Sequence, residues 1–178
     1  MLIKLLTHKN LFHAFLLTLH NKTSGHDTFK RRRSGPDIQG KDQHGETLTF
    51  DRFAGQKVIL YFYPKDNTPG CTSEACNLRD NYQELKDMGF EIIGVSPDTI
   101  ESHQKFSDKN QLPFRLISDP DRKILQDYDV WGEKQMYGKV YEGVHRTTFV
   151  ISEDRHIEKI FKKVKTKDHA RQILEALE

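Results

Sequence analysis

The sequence predicts a single α/β domain: a mixed β-sheet with helices on both faces. Three observations carry this. At 178 residues the chain suits one sizeable core and is short for two. From Pro36 onward, short apolar runs alternate with stretches whose apolar residues recur every three or four positions. The last two apolar runs then follow each other across a tight turn, which makes the sheet mixed and not wholly parallel.

The elements follow in order. Residues 47–50 (TLTF), after the turn-like His44-Gly45, read as a short strand. Residues 57–63 (KVILYFY) form a continuous apolar, β-branched and aromatic run, as expected of a central strand buried on both faces. Residues 64–70 are a breaker-rich loop. Residues 72–87 predict a helix, with Ala75, Leu78, Tyr82 and Leu85 on one face and Met88-Gly89 closing it. Residues 91–96 (EIIGVS) predict a buried strand and 99–109 a helix. Residues 114–117 and 121–127 give a short strand and a short helix. Residues 147–152 and 156–164 are two strands around the turn Glu153-Asp154-Arg155. Residues 167–177 form a last helix with Ala170, Ile173, Leu174 and Leu177 on one face. No internal repeat is present.

The net charge of +2 conceals an asymmetry. Residues 1–35 carry seven basic side chains and one acid, Asp27, whereas the remaining 143 residues carry 21 basic and 25 acidic side chains. An acidic body is a poor general nucleic-acid binder, because phosphate neutralisation needs clustered Lys and Arg. No apolar run approaches the roughly 18 residues of a membrane span. Two cysteines are too few for a disulfide-stapled scaffold.

The first 35 residues differ from the rest. Residues 1–20 have the basic start and apolar stretch of a signal peptide, but the following NKTSGHD lacks a small-residue cleavage site. Lys30-Arg31-Arg32-Arg33 reads as a solvated basic linker. The segment is expected to be a poorly ordered extension, with room for one amphipathic helix over residues 2–19. The expected location is the cytoplasm, with export or an organelle through residues 1–34 as the alternative. The domain proper is expected to run from 36 to 178.

The chemistry concentrates where a core strand ends, a breaker-rich loop follows and a helix begins with Cys71 in its first turn. A helix N-terminus has backbone N–H groups without intrahelical partners and a partial positive charge. A sulfur placed there is stabilised as thiolate, the nucleophilic form. Free cysteine is otherwise usually a small buried hydrophobe. Cys71 lies in a polar loop beside Thr68, Gly70 and Thr72, which favours the reactive reading; Cys76, inside an apolar helical pattern, leaves both readings open. In an intact helix, residues five apart have Cα atoms about 8–9 Å apart. A disulfide needs about 7 Å or less. If Cys71 and Cys76 bond, the first helical turns must unwind. A thioredoxin-type dithiol needs Cys-x-x-Cys, which is absent, and no His or Cys cluster completes a zinc site.

The run Tyr61-Phe62-Tyr63-Pro64-Lys65-Asp66-Asn67-Thr68-Pro69-Gly70-Cys71-Thr72 closely resembles the peroxiredoxins of the peroxiredoxin Q or bacterioferritin comigratory protein subfamily. Pro64-x-x-x-Thr68-x-x-Cys71 matches the active-site motif, and Cys76 the resolving cysteine of members that keep both thiols on one helix. Leu112-Pro113-Phe114, Asp119-Pro120-Asp121, Trp131-Gly132-Glu133, Tyr137-Gly138-Lys139 and the segment from His145 to Ile151 also resemble the family. The resemblance covers about residues 36–178. Of the family's usual opening only Pro36-Asp37-Ile38 is left, and residues 1–34 have no counterpart.

The resemblance implies a thioredoxin-like fold and a thiol peroxidase acting on hydrogen peroxide and organic hydroperoxides, in antioxidant defence. It implies that Cys71 is the peroxidatic nucleophile, that the Thr68 hydroxyl bonds the thiolate and the peroxide, and that Arg146 is a fixed cation beside the sulfur. Pro64 shields the sulfur, and the N–H groups of Gly70 and Cys71 face the peroxide. Glu74, near the third helical position, is expected to cap the helix, with organising the site as the alternative. Cys76 resolves the sulfenic acid as an intramolecular Cys71–Cys76 disulfide, and thioredoxin or a similar dithiol reduces it. No metal, haem or flavin is required, and a monomer is expected. Two other readings use the same residues differently: a thiol-disulfide exchanger that oxidises a partner protein, and an adaptor working through the basic N-terminal arm.

Overall fold

The computed structural model describes residues 34–136 and 138–177. The helix expected over residues 2–19 and the basic run Lys30-Arg31-Arg32-Arg33 lie outside the described residues. Ser34 bridges to His156, and the Gly35 N–H donates to the Arg155 carbonyl at 2.8 Å.

The longest apolar run builds the centre. Strand β3 (Lys57–Phe62) pairs in parallel with β4 (Phe90–Ser96) and antiparallel with β8 (Thr147–Ile151). Outward on one side come β5 (Arg115–Ser118), β1 (Gln39–Asp42) and β2 (Thr47–Thr49); on the other comes β9 (Ile157–Phe161). The seven-stranded sheet has the order β2-β1-β5-β4-β3-β8-β9 and is mixed, as expected: β3, β4 and β5 are parallel and the outer pairings antiparallel. Alternate side chains along β3 and the Tyr63 that follows it serve two cores. Val58, Leu60 and Phe62 pack with Ile93, Ile117, Tyr128 and Phe149 on one face. Ile59, Tyr61 and Tyr63 pack with Ala75, Leu78, Leu85, Phe106 and Ile173 on the other. The second face is covered by α1 (Pro69–Asp80), α2 (Tyr82–Asp87), α3 (Ile100–Asn110) and α5 (His169–Leu174), the first by α4 (Lys123–Asp127).

Four departures from the sequence reading have physical causes. The helix predicted over 72–87 starts earlier, because Pro69 is pre-set for the first helical position and has no N–H to leave unpaired. It is also broken at Asn81, whose side-chain amide donates to the Asn77 carbonyl at 2.7 Å. Strand β1 (QGKD) has no apolar signal of its own. At Gly40 a Cβ would stand 2.4 Å from Ile117 Cγ2, so the bare backbone lets β1 lie against that side chain. Finally β6 (Trp131–Met136) and β7 (Lys139–Val144) form a separate, largely exposed hairpin, whose charged sequence lacks the alternation that marks a half-buried strand. Among the described residues no helix is long and apolar enough to cross a membrane.

Candidate active site

Strand register assembles the site. Phe62 of β3 stands opposite Thr147 of β8, so Arg146, just before β8, lies where the chain leaves β3 and loops into α1. Pro64 is half-buried at the entry of this loop. Thr68 is the N-cap, in extended conformation, and the Thr72 N–H donates to its carbonyl at 2.9 Å. Cys71 is therefore the third helical residue, in the first turn as predicted. It is 1% exposed, with its side chain in the same core as Tyr61, Tyr63 and Ala75.

Arg146 reaches two groups of α1 that lie 75 and 72 positions from it in the chain. Its Nη2 donates to Cys71 Sγ at 3.1 Å, and its Nη1 donates to the Glu74 carboxylate. Glu74 is fully buried. Burial pushes its carboxyl up to about 7, against the opposing pull of the Arg146 charge and hydrogen bond. Burial works against the Arg146 charge too, but facing Glu74 and Cys71 holds the guanidinium above its usual range. The cation is thus held between the Cys71 sulfur and the Glu74 carboxyl.

The expected helix-capping role of Glu74 is corrected here. With the helix starting at Pro69, Glu74 lies in the second turn, out of reach of the N-cap, and its carboxylate goes to Arg146. Thr68 also differs from expectation: its hydroxyl donates to the Lys65 carbonyl at 3.0 Å, which holds the loop's shape and leaves only the oxygen lone pairs for a visitor. At Gly70, a Cβ would stand 3.5 Å from Arg146 Nη2, an ordinary contact distance, so this residue lies directly beside the guanidinium.

Cys76 is half-buried on the same helix, about 140° around the axis from Cys71. Its thiol donates to Asn110 Oδ1 of α3 at 3.7 Å. Both cysteines are free.

A second buried network, which the sequence does not predict, anchors the loop. Asp66 accepts from Tyr63 Oη and Ser102 Oγ, each at 2.8 Å, and pairs with His103 Nδ1 at 2.8 Å. His103 Nε2 lies 3.1 Å from the Ile117 carbonyl, and the Asp66 N–H donates to Asp98 Oδ2 at 2.9 Å. The available signal was a pair of polar residues, His103 and Asn110, in register with Phe106 on the buried face of α3. Among the described residues no group of three or more His, Cys, Asp or Glu is placed to hold a metal.

A buried thiol at a helix N-terminus, with a guanidinium on its sulfur and no second sulfur beside it, defines a thiol-dependent redox enzyme on an α/β scaffold. Comparison with known proteins agrees. The AhpC/TSA family model matches residues 32–160. Peroxiredoxin Bcp of Bacillus subtilis is 43% identical over 150 residues, covering 84% of this chain and 96% of that protein. Peroxiredoxin Bcp of Escherichia coli K12 is 46% identical over 134 residues, covering 75% and 86%. Among solved structures, peroxiredoxin Q of Xanthomonas campestris superposes with a TM-score of 0.76 at 36% identity, over 84% of this chain and 95% of that one. A structure of the bacterioferritin comigratory protein of the same organism, studied for its alkyl peroxide reduction activity, gives the same TM-score and identity, over 84% and 96%. The chain belongs to the AhpC/TSA family: it is a peroxiredoxin, a thiol peroxidase with the thioredoxin-like fold.

Proposed function

We propose that this peroxiredoxin reduces hydrogen peroxide and organic hydroperoxides through Cys71, resolves the product with Cys76, and is recycled by thioredoxin or a similar dithiol. The Cys71 thiolate attacks the terminal peroxide oxygen. The O–O bond breaks, the sulfur becomes a sulfenic acid, and the departing oxygen leaves as water or alcohol after taking a proton. Arg146 stabilises the charge that moves from sulfur to oxygen, and the backbone N–H groups of Gly70 and Cys71 serve as further donors to the peroxide. The Thr68–Lys65 bond holds the shape of the loop, and Pro64 serves to shield the sulfur. Cys76 then attacks the Cys71 sulfur, giving an intramolecular disulfide and a second water; an external dithiol reduces it by exchange. Because both thiols lie on one chain, the working unit is a monomer. The proposed location is the cytoplasm, where the reductant is available.

The observation that carries this reading is the 3.1 Å contact of Arg146 Nη2 with Cys71 Sγ. Organic peroxides as substrates are supported by the Xanthomonas campestris relative studied for alkyl peroxide reduction. The test is mass spectrometry after one equivalent of peroxide. A Cys71–Cys76 bond is expected in the wild type, a lone oxidised Cys71 in Cys76→Ser, and no turnover in Cys71→Ser. Full peroxidase activity in Cys71→Ser would sink the assignment.

A further inference from the structure

Asn110, the last residue of α3, grips the redox helix at two points. Its Oδ1 accepts from the Cys76 thiol at 3.7 Å, and its backbone carbonyl accepts from Arg79 Nη1 at 2.6 Å. Its own amide nitrogen donates to the Phe106 carbonyl at 2.8 Å, which fixes the side chain so that the oxygen faces the sulfur. Asn110 is itself buried.

The two grips have different fates in the catalytic cycle. To reach Cys71, Cys76 must travel about 140° around the helix axis, and the turns between them must open. The Cys76–Asn110 bond cannot survive that movement. The Arg79–Asn110 bond can, because Arg79 lies beyond the segment that opens. Asn77 strengthens the same boundary: its Oδ1 accepts from the Ala170 N–H at 2.8 Å and its Nδ2 donates to the Lys167 carbonyl at 3.2 Å, tying α1 to the start of α5.

We propose that Asn110 is a positioning residue of the peroxidase cycle: its Oδ1 latches the Cys76 thiol on the closed helix and thereby limits the rate at which the Cys71 sulfenic acid is resolved. The inference rests on Cys76 being the resolving cysteine. In the step concerned, Cys76 Sγ bonds to Cys71 Sγ, the Cys71 S–O bond breaks, and the oxygen leaves as water with the thiol hydrogen. The competing step is attack of the sulfenic acid on a second peroxide, which yields the sulfinic acid and one water or alcohol. A latch that delays the first step lengthens exposure to the second.

The experiment follows both steps by rapid quench and mass spectrometry in the wild-type, Asn110→Leu and Asn110→Asp chains. Sulfenic acid formation is expected to be the same in all three. Conversion to the disulfide, which is independent of peroxide concentration, is expected to be about threefold faster in Asn110→Leu, the size of one modest hydrogen bond. Asn110→Asp retains an acceptor but loses the donor to the Phe106 carbonyl that fixes it, and is expected to lie between the wild type and Asn110→Leu. Sulfinic acid at excess peroxide falls in Asn110→Leu by the same factor. An unchanged or slower conversion in Asn110→Leu, with a normal disulfide, overturns the latch alone. Absence of a Cys71–Cys76 disulfide in the wild type overturns the reading of Cys76 and the latch with it. Should Asn110→Leu fail to fold, the Raman S–H band of the Cys71→Ser chain decides, because Cys76 is then its only thiol. A band lowered by hydrogen bonding supports the latch, and a band at the free-thiol position overturns it.

Discussion

Arg146 Nη2 stands 3.1 Å from Cys71 Sγ although 75 positions separate the two residues in the chain. The antiparallel pairing of β3 with β8 creates the contact by placing Arg146 at the end of β3 from which the loop to Cys71 departs. The guanidinium then serves two groups at once, since Glu74 takes its other terminal nitrogen.

Arg146→Ala is expected to slow the first oxidation of Cys71 by about 10²-fold, the usual loss for one charge-stabilising donor. Arg146→Lys should recover only part of this, because an ammonium cannot serve Cys71 and Glu74 through two nitrogens of one plane. Stopped-flow oxidation reads both; wild-type kinetics in Arg146→Ala would remove the residue from the site.

Glu74 and His169 should tilt the stability profile in opposite directions. His169 is buried between Thr148 and Gln172, and burial lowers its ring to about 4 from 6.5. Folding therefore favours the neutral ring. This contribution is complete above pH 6.5 and is lost as the pH falls toward 4. Burial raises Glu74 from 4.5 to about 7, so folding favours its protonated form. That contribution is complete below pH 4.5 and is lost as the pH rises through 7. Between pH 4.5 and 6.5 the two oppose each other, each with a slope of up to roughly 1.4 kcal/mol per pH unit. Urea denaturation across this window should show a steeper rise with pH in Glu74→Gln and a steeper fall in His169→Gln, each relative to the wild type. Parallel profiles in all three chains would refute the assignment.

The central strand and the place of Cys71 are legible in the sequence for a local reason: an apolar run followed by the breaker-rich stretch 64–70 specifies a strand, a loop and a helix beginning near Cys71 without reference to the rest of the fold. Arg146 was legible only through family resemblance, because its contact depends on strand register. A helix starting at Thr72 would put Glu74 in the first turn as a cap; the start at Pro69 puts it in the second turn, where it meets Arg146. The Asp66–His103 pair stayed hidden because periodicity marks a buried face and does not say which polar residue on it finds a partner. The β6–β7 hairpin carries no strand signal in the sequence, since an exposed ribbon needs no apolar face.

Packing beneath the site supplies a test of stability. Tyr61 and Gly94 face each other across β3 and β4, and a Cβ at Gly94 would stand 2.7 Å from Tyr61 Cζ and from Leu116 Cδ2. Tyr61 stacks on Tyr63 at 5.3 Å, and Tyr63 holds Asp66 of the active-site loop. Gly94→Ala is therefore expected to cost about 1–3 kcal/mol in urea denaturation and to slow Cys71 oxidation. Tyr61→Phe should act in the other direction, since the buried Tyr61 hydroxyl has no hydrogen-bond partner among the described residues. Removing it is expected to stabilise the fold by about 1 kcal/mol.

Oxidation should leave its clearest mark in backbone exchange. Cys71 and Cys76 lie on one intact helix in the reduced protein, too far apart and on different sides for a bond. Forming the disulfide must open the first turns, starting with the Thr72 N–H that is bonded to the Thr68 carbonyl. Opening also separates Cys71 from Arg146 and uncovers Ala75, so the oxidised protein is the less stable form. The opening has a natural end at Asn77, which is tied to Lys167 and Ala170, and at Arg79, which is tied to Asn110. Hydrogen exchange on both redox states is expected to show faster exchange over about residues 68–76 after oxidation, with the Ala170 amide and the β3 amides equally protected in both. A local opening of this kind presents the disulfide to an external dithiol while the sheet stays closed. Equal protection of residues 68–76 in the two states would mean that Cys76 does not resolve Cys71 within this helix. Loss of protection at Ala170 would place the end of the opening beyond Asn77 and couple the redox state to the docking of α5.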